Sequence, residues 1–423
     1  MLYTALVLFG VIGQLLALSL PARTTPIYHD PPILPNDDPF YKPKNASWES
    51  STPGTIIGYR NVNVGSTLIN LSLIYSAYQL LYRTTNAHGN PSYAVTTVII
   101  PVNARTDKLL SYQIAYDSPD NNCSPSYWVQ EGVPPHRWEI FRELGTLIQT
   151  FLAQGIPINI PDYEGVNAAF TVGTQSGYTV LDSVRAATRS GSITGISSNA
   201  QTAIVGYSGG ALASEWASEL HSVYAPDVQI VGAAMGGLPT NTTKTFFAID
   251  GTLSAGLISA SFNGIANTFP CFSAYINQHL LPDHAETFYS TKRQCTNGAR
   301  GGLAPYANQS IIPYFDNGDR IVYDQAALLN SIGTMGLHGI PDFPMYIWKG
   351  TRDEVAVPIE DTDALVEKYC SEGTNITYVK VENGNHLQSR VVGLPGAGAF
   401  LRGIFGGQVP DRCTTTTIPP IPL

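Results

Sequence analysis

The chain has 423 residues, 43% of them hydrophobic and only 13% charged, enough to bury one large core or a core with a satellite domain, which argues against a disordered chain. Its formal net charge of −9 leaves no basic footprint that could release counterions from a phosphate backbone, so nucleic acid is not an expected partner. Thirty-nine glycines and 30 prolines point to long ordered loops around a scaffold, a composition common in extracellular enzymes.

Residues 1–22 read as a signal peptide: an apolar run from Val7 to Leu18, then small residues, with cleavage expected between about residues 19 and 22. An uncleaved anchor is the alternative, because the usual positive charge before the run is missing. Secretion to the extracellular space is the expectation. The sequons at Asn45, Asn70, Asn241, Asn308 and Asn375 agree with export. Arg23 to Thr52, rich in proline and aromatic residues and without period, reads as a surface arm.

From Thr55 onward, apolar strand runs alternate with helical patterns, which predicts an α/β fold with a mostly parallel central sheet flanked by helices. Strands are expected at Tyr93–Pro101, Leu109–Tyr116, Ile156–Ile160, Thr202–Tyr207 and Val228–Met235. Helices are expected at Ile140–Gln154, around Tyr178–Val184, and at Gly210–Tyr224. The alternation then stops. Residues 241–341 are predicted to be an inserted, mainly helical cap or lid, dividing the core into 23–240 and 342–413. The α/β pattern resumes with a strand at Phe343–Trp348, a helix at Ile359–Cys370, a strand at Ile376–Val381 and a last helix near Gly396–Phe405. Residues 414–423 form a low-complexity stretch expected to be mobile.

Gly206-Tyr207-Ser208-Gly209-Gly210 matches G-x-S-x-G, directly after the apolar strand Thr202–Val205 and before a helical pattern. That strand–turn–helix setting is what a nucleophile elbow requires, with glycines giving room where strand and helix meet. A glycine-rich turn with an ordinary N-cap serine is the alternative. Tyr207, inside the elbow, is assigned a substrate-binding role. A serine hydroxyl needs a base to take its proton and an acid to fix the base's tautomer. Of eight histidines only His338 and His386 follow late enough; His338 falls in the cap region, whereas His386 follows the strand Ile376–Val381 on a turn-forming loop. His386 is therefore the candidate base. Asp353, after the strand Phe343–Trp348, is the candidate acid, with Glu354 beside it as the substitute.

An oxyanion needs two backbone N–H donors: Gly209 supplies one, and the loop Tyr116-Asp117-Ser118-Pro119 is placed to supply the other through Asp117. A carboxylate facing an oxyanion would have to be protonated or turned aside. A plain turn aspartate before proline fits the local sequence equally well. Five cysteines without C-x-x-C pairs favour two disulfides and a free thiol over zinc, and no metal or organic cofactor is implied.

The elbow, Tyr116-Asp117-Ser118, Cys123-Ser-Pro-Ser-Tyr127, Pro161-Asp162-Tyr163-Glu164-Gly165 and Gly350-Thr351-Arg352-Asp353 together resemble the fungal secretory lipases, the family of Candida antarctica lipase A, from about Asp38 to Cys413. The resemblance implies an α/β-hydrolase core with a helical cap and a Ser208–Asp353–His386 triad. It also implies an oxyanion hole at Asp117 and Gly209, bridges Cys123–Cys295 and Cys370–Cys413, and a free Cys271. Only ten residues follow Cys413, so a C-terminal flap over the site is expected to be short or missing. The expected activity is a secreted lipase acting on triacylglycerol or other lipid esters through an acyl-enzyme, with acyl transfer to alcohols as a second outcome. The expected partner is a lipid or ester substrate, met at a lipid–water interface, with no stable protein partner. A non-lipolytic carboxylesterase, a peptidase on the same triad, or a catalytically silent lipid-binding protein are the alternatives.

Overall fold

In the computed structural model the described residues are 31–65, 69–133, 145–296 and 302–420. The expected signal peptide and residues 140–144 of the expected helix lie outside them.

Ten strands form one sheet in the order β1-β2-β3-β5-β4-β6-β7-β8-β9-β10. β1 (Ile56–Asn61), β2 (Ile74–Thr85) and β3 (Pro91–Pro101) make an antiparallel edge, and β3 also meets β5 (Ile158–Pro161) antiparallel. The remaining strands run parallel: β4 (Lys108–Gln113), β6 (Gln201–Tyr207), β7 (Ile230–Gly236), β8 (Met345–Gly350), β9 (Ile376–Val381) and β10 (Thr414–Ile418). β4, β5 and β8 are buried at every position, as parallel strands covered by helices on both faces must be.

The helices before β7 are α1 (Pro125–Trp128), α2 (Gly145–Ala153), α3 (Gly173–Arg189), α4 (Gly191–Thr194) and α5 (Gly209–Tyr224). Between β7 and β8 the segment from Thr242 to Gly333 holds α6 (Thr242–Ile249), α7 (Gly256–Thr268), α8 (Pro270–His279), α9 (Pro282–Tyr289), α10 (Arg320–Asp324) and α11 (Ala326–Gly333). These helices build an apolar cluster of their own around Phe246, Ile258, Phe262, Phe272, Phe288 and Phe315, separate from the large cluster on the sheet. α12 (Ile359–Ser371) and α13 (His386–Phe405) complete the second half of the core. No helix among the described residues is long and apolar enough to cross a membrane.

Three expectations differ from the structure. The strand expected to reach Tyr116 stops at Gln113, and Ile114–Tyr116 leave the sheet, still buried, to carry the chain to Asp117. The last helix starts ten residues earlier than expected, at His386, although it contains Pro395 and several glycines. Those small residues are needed for packing: a Cβ on Gly393 would lie 2.0 Å from the Trp348 ring, and one on Gly396 2.1 Å from the Tyr346 hydroxyl. Close approach to β8 overrides helix propensity there. Finally, Thr414–Ile418, expected to be mobile, pair in parallel register with Thr377–Val381 as β10. A run of β-branched threonines suits a strand, and the Cys370–Cys413 disulfide delivers it to the sheet edge.

Candidate active site

β6 ends at Tyr207 and α5 begins at Gly209, so Ser208 alone makes the turn, at φ 55° and ψ −122°. That backbone is disfavoured for any residue with a Cβ and holds the hydroxyl out of both elements. The turn is possible because its neighbours are glycines. A Cβ on Gly206 would sit 2.1 Å from the Gly210 carbonyl oxygen, and one on Gly210 would sit 2.0 Å from that of Gln113.

His386 is the first residue of α13 rather than a free loop residue. Asn385 caps the helix by accepting from the Gln388 backbone amide, and the Gln388 side-chain oxygen accepts in turn from the Asn385 backbone amide, a full capping box. The imidazole Nε2 lies 3.0 Å from Ser208 Oγ, and Nδ1 lies 2.9 Å from both carboxylate oxygens of Asp353. Because Nδ1 faces only acceptors, it carries the proton, which leaves Nε2 free to accept from the serine. The sequence-predicted serine, histidine and aspartate are thus brought together.

Asp353 is buried, and its Oδ1 also accepts from the amides of Val355 and Ala356 at 3.0 and 2.8 Å. Burial works to raise the pKa of this carboxyl. The His386 imidazole and its hydrogen bond, the Ala356 amide and the Lys349 ammonium outweigh burial and hold the group below the ordinary aspartate value. Glu354 instead accepts from the backbone amide of His386 at 2.9 Å. His338 lies elsewhere, its ring tilted against Trp216 at 4.5 Å and 3.3 Å from Glu219.

Tyr207, expected to bind substrate, is 1% exposed and is not among the residues lining the cavity over Ser208. Its hydroxyl donates to the His386 carbonyl oxygen at 2.5 Å and its ring lies 5.0 Å from the imidazole, so it supports the histidine from behind. A residue inside the elbow whose side chain points into the sheet core cannot also face the cleft.

Asp117 sits at φ 46° on the loop that follows β4. Its Oδ1 is shut off from solvent and has no hydrogen-bond partner, and a Cβ on Gly209 would lie 1.9 Å from it, so only glycine fits beside this carboxyl. Burial pushes the group up to about 7, with the imidazole opposing. The loop is held by Thr296, whose hydroxyl donates to the carbonyl oxygen of Asp117 at 2.7 Å and whose amide donates to Ser118 Oγ at 3.1 Å. Thr296 is placed there by its neighbour Cys295, which is joined to Cys123. Cys370 is joined to Cys413, and Cys271 is free and exposed.

The Asp162-Tyr163-Glu164 string is joined to the same loop through the Glu164 amide, which donates to the Tyr116 hydroxyl at 2.7 Å. Asp162 accepts from the amide and hydroxyl of Ser126 at 2.8 and 2.5 Å, and burial pushes it up to about 7. Glu164 is fully buried and raised well above the usual carboxylate range, first by burial and then by Asp117. Above Ser208 lies a narrow cavity of about 50 Å³ walled by Phe170, Leu212, Phe246, Ile249, Leu257 and Val355, with Asp117 and Gly209 beside the hydroxyl. Phe170, on the loop before α3, and Phe246, on α6, were not singled out in the sequence; apolar residues in loops and cap carry no signal of which cavity they face. Among the described residues no group of three His, Cys, Asp or Glu side chains is placed to hold a metal ion.

Comparison with solved structures bears on the class. Candida antarctica lipase A superposes with a TM-score of 0.83 at 28% identity, covering 93% of this chain and 91% of that one. A rice cell wall degrading esterase, LipA from Xanthomonas oryzae, shares the fold with a TM-score of 0.62 over 85% of this chain at 14% identity. The protein is a carboxylic ester hydrolase of the α/β-hydrolase fold. The model of the secretory lipase family matches residues 142–411. Lipase A of Arthroderma benhamiae is 34% identical over 93% of this chain and 84% of its own length, and the trichothecene C-3 esterase of Fusarium sporotrichioides is 36% identical over 89% and 85%. The chain belongs to the secretory lipase family.

Proposed function

We propose that the protein hydrolyses lipid esters through an acyl-enzyme on Ser208, with His386 as base, Asp353 as its orienting acid, and the backbone amides of Asp117 and Gly209 as oxyanion donors. The observation that carries this reading is the imidazole bridging Ser208 Oγ at 3.0 Å and Asp353 at 2.9 Å. His386 Nε2 takes the serine proton as Oγ bonds to the ester carbonyl carbon, and the carbonyl oxygen gains the negative charge. Collapse breaks the C–O bond, and the imidazolium returns the proton to the leaving alkoxide. Water then repeats the sequence on the acyl-enzyme; an alcohol in its place gives acyl transfer. Each oxyanion donor is worth roughly 3 kcal/mol by analogy with measured removals.

The helices of 241–341 act as the cap over this site, and their apolar side chains receive the acyl chain. Leu387 and Val391, exposed on the first turns of α13 next to His386, give the mouth an apolar rim suited to a lipid–water interface. Secretion is supported by the apolar leader, the family description and the two disulfides. The sequons at Asn45 and Asn70 also suit it: both asparagines are exposed, with the sequon hydroxyl bonded to the asparagine oxygen.

A second reading, hydrolysis of short acyl groups from bulky alcohols, is favoured by the narrow cavity and by the relative named as a trichothecene C-3 esterase. Initial rates across an acyl series from acetyl to oleoyl separate the two. A lipase gives rates that persist or rise at long chains presented as an emulsion; activity confined to acetyl and butyryl esters selects the second reading. Ser208→Ala is expected to lose about 10⁴- to 10⁶-fold in kcat on every member, and a variant retaining a tenth of the rate would remove the serine from the mechanism.

A further inference from the structure

β8 reads Met345-Tyr-Ile-Trp-Lys-Gly350, and all six positions are buried. A lysine in that row brings an ammonium into the protein interior, which is costly unless every donor finds an acceptor. Lys349 is 0% exposed, and its Nζ donates to the carbonyl oxygen of Leu238 at 2.8 Å, to Thr362 Oγ1 at 2.9 Å and to the carbonyl oxygen of Pro358 at 3.3 Å. Three donors meet three acceptors.

Those acceptors lie on the loop after β7 and where the loop after β8 passes into α12. Leu238 follows β7, between Gly237 and Pro239. Gly237, at φ 58°, lies so close to His386 that a Cβ there would be 2.8 Å from the ring, and Pro239 lines the cavity. Pro358 closes the other loop as the N-cap of α12 and Thr362 lies in the first turn of that helix; between them and β8 lie Asp353 and the Val355 and Ala356 amides that hold it. The ammonium therefore joins the loop beside the imidazole to the loop that carries the acid.

We propose that Lys349 is a positioning residue for ester hydrolysis, clamping the loops after β7 and β8 so that Asp353 meets His386, and offsetting part of the charge of Asp353. This rests on the triad reading given above. The charged groups around Nζ are Asp353 from the acid loop and Glu360, Asp361 and Asp363 from α12. Asp361 has its own cation in Lys244 at 2.6 Å. Asp363 has one in Lys380 at 2.7 Å, the β9 residue paired with Lys349 in register. Asp353 is the carboxylate of the catalytic group that this ammonium faces. Burial lowers the lysine to about 8 against the pull of these carboxylates, so it carries its charge through neutral pH.

The test compares wild type, Lys349→Met and Thr362→Val on a soluble p-nitrophenyl ester from pH 5 to 9, with rates divided by the active-site titre from a fluorophosphonate. If the wild type does not titrate, the triad reading itself fails, which is a separate outcome. Lys349→Met is expected to lose about 10- to 100-fold in kcat with KM within about twofold, since misplaced groups cost the chemical step more than binding. The acid limb of its kcat/KM profile is expected to move to higher pH, because Asp353 without the opposing cation favours the imidazolium. Should Lys349→Met fail to accumulate as folded protein, Thr362→Val, which removes one acceptor and keeps the charge, carries the test. It is expected to lower kcat per site severalfold at unchanged KM and an unmoved acid limb. Unchanged kcat per site in either variant, or a loss in Lys349→Met with the acid limb unmoved, overturns the proposal.

Discussion

At Ser208 the backbone adopts φ 55°, a conformation that costs on the order of 1–3 kcal/mol for a non-glycine residue. The strain is tolerated because β6 and α5 are each locked by burial on either side. Asp117 repeats the pattern at φ 46°, with its carboxyl wedged over Gly209. Its folded-state value of about 7 is raised from 3.8, so the native protein binds a proton there that the unfolded chain has released. This group therefore contributes stability below about pH 4 that is lost as pH rises through about 7. The same titration bears on catalysis: a neutral carboxyl beside the oxyanion is harmless, and a carboxylate repels it. The wild-type kcat/KM is expected to fall above about pH 7 on this account, and Asp117→Asn, neutral at every pH, to flatten that fall. An alkaline decline of the same midpoint in Asp117→Asn would assign it to another group. The three residues meeting at the imidazole were legible from the elbow motif and from loop positions after β8 and β9. Neither Lys349 nor the unpartnered state of Asp117 was, because burial and acceptor geometry are set by chains far apart in sequence.

Among the elements, α13 and β10 show where local sequence misleads. Pro395 and the glycines of α13 are poor helix formers, yet Gly393 and Gly396 let the helix close onto Trp348 and Tyr346. The capping box Asn385–Gln388 starts the helix at His386 and fixes the direction in which the imidazole leaves it. β10 pairs only with β9, its side chains are largely exposed, and Cys413 immediately precedes it. Its attachment thus depends on the disulfide that closes 43 residues from Cys370. Cys413→Ser is expected to lower unfolding stability by about 2–4 kcal/mol and to release protection of the Thr414–Ile418 amides from exchange. An unchanged urea midpoint with amides still protected would mean that the strand holds by its ladder alone. The strands β3 to β9 and the larger core helices were legible because their apolar runs are flanked by turn residues, whereas β1 and β2 at the antiparallel edge, half-exposed in part, were not.

For the whole molecule, the sheet core and the helical segment between β7 and β8 each keep an apolar cluster, and the cavity above Ser208 lies where they meet. The Cys123–Cys295 bridge ties the stretch that follows the Asp117 loop to the helical segment between α9 and α10, so that loop is held across the junction. The core holds Ser208, His386 and Asp353, and both parts share the apolar wall: Phe170, Leu212 and Val355 from the core, Phe246, Ile249 and Leu257 from the helical segment. What the account requires above all is a Ser208 hydroxyl made nucleophilic by His386. The most direct measurement is peptide mapping by mass spectrometry after a fluorophosphonate is added to wild type and to His386→Ala. The account predicts one phosphonyl group on the peptide containing Ser208 in the wild type, and labelling slowed by orders of magnitude in His386→Ala. A label on another residue, or equal labelling of Ser208 in both proteins, would contradict it.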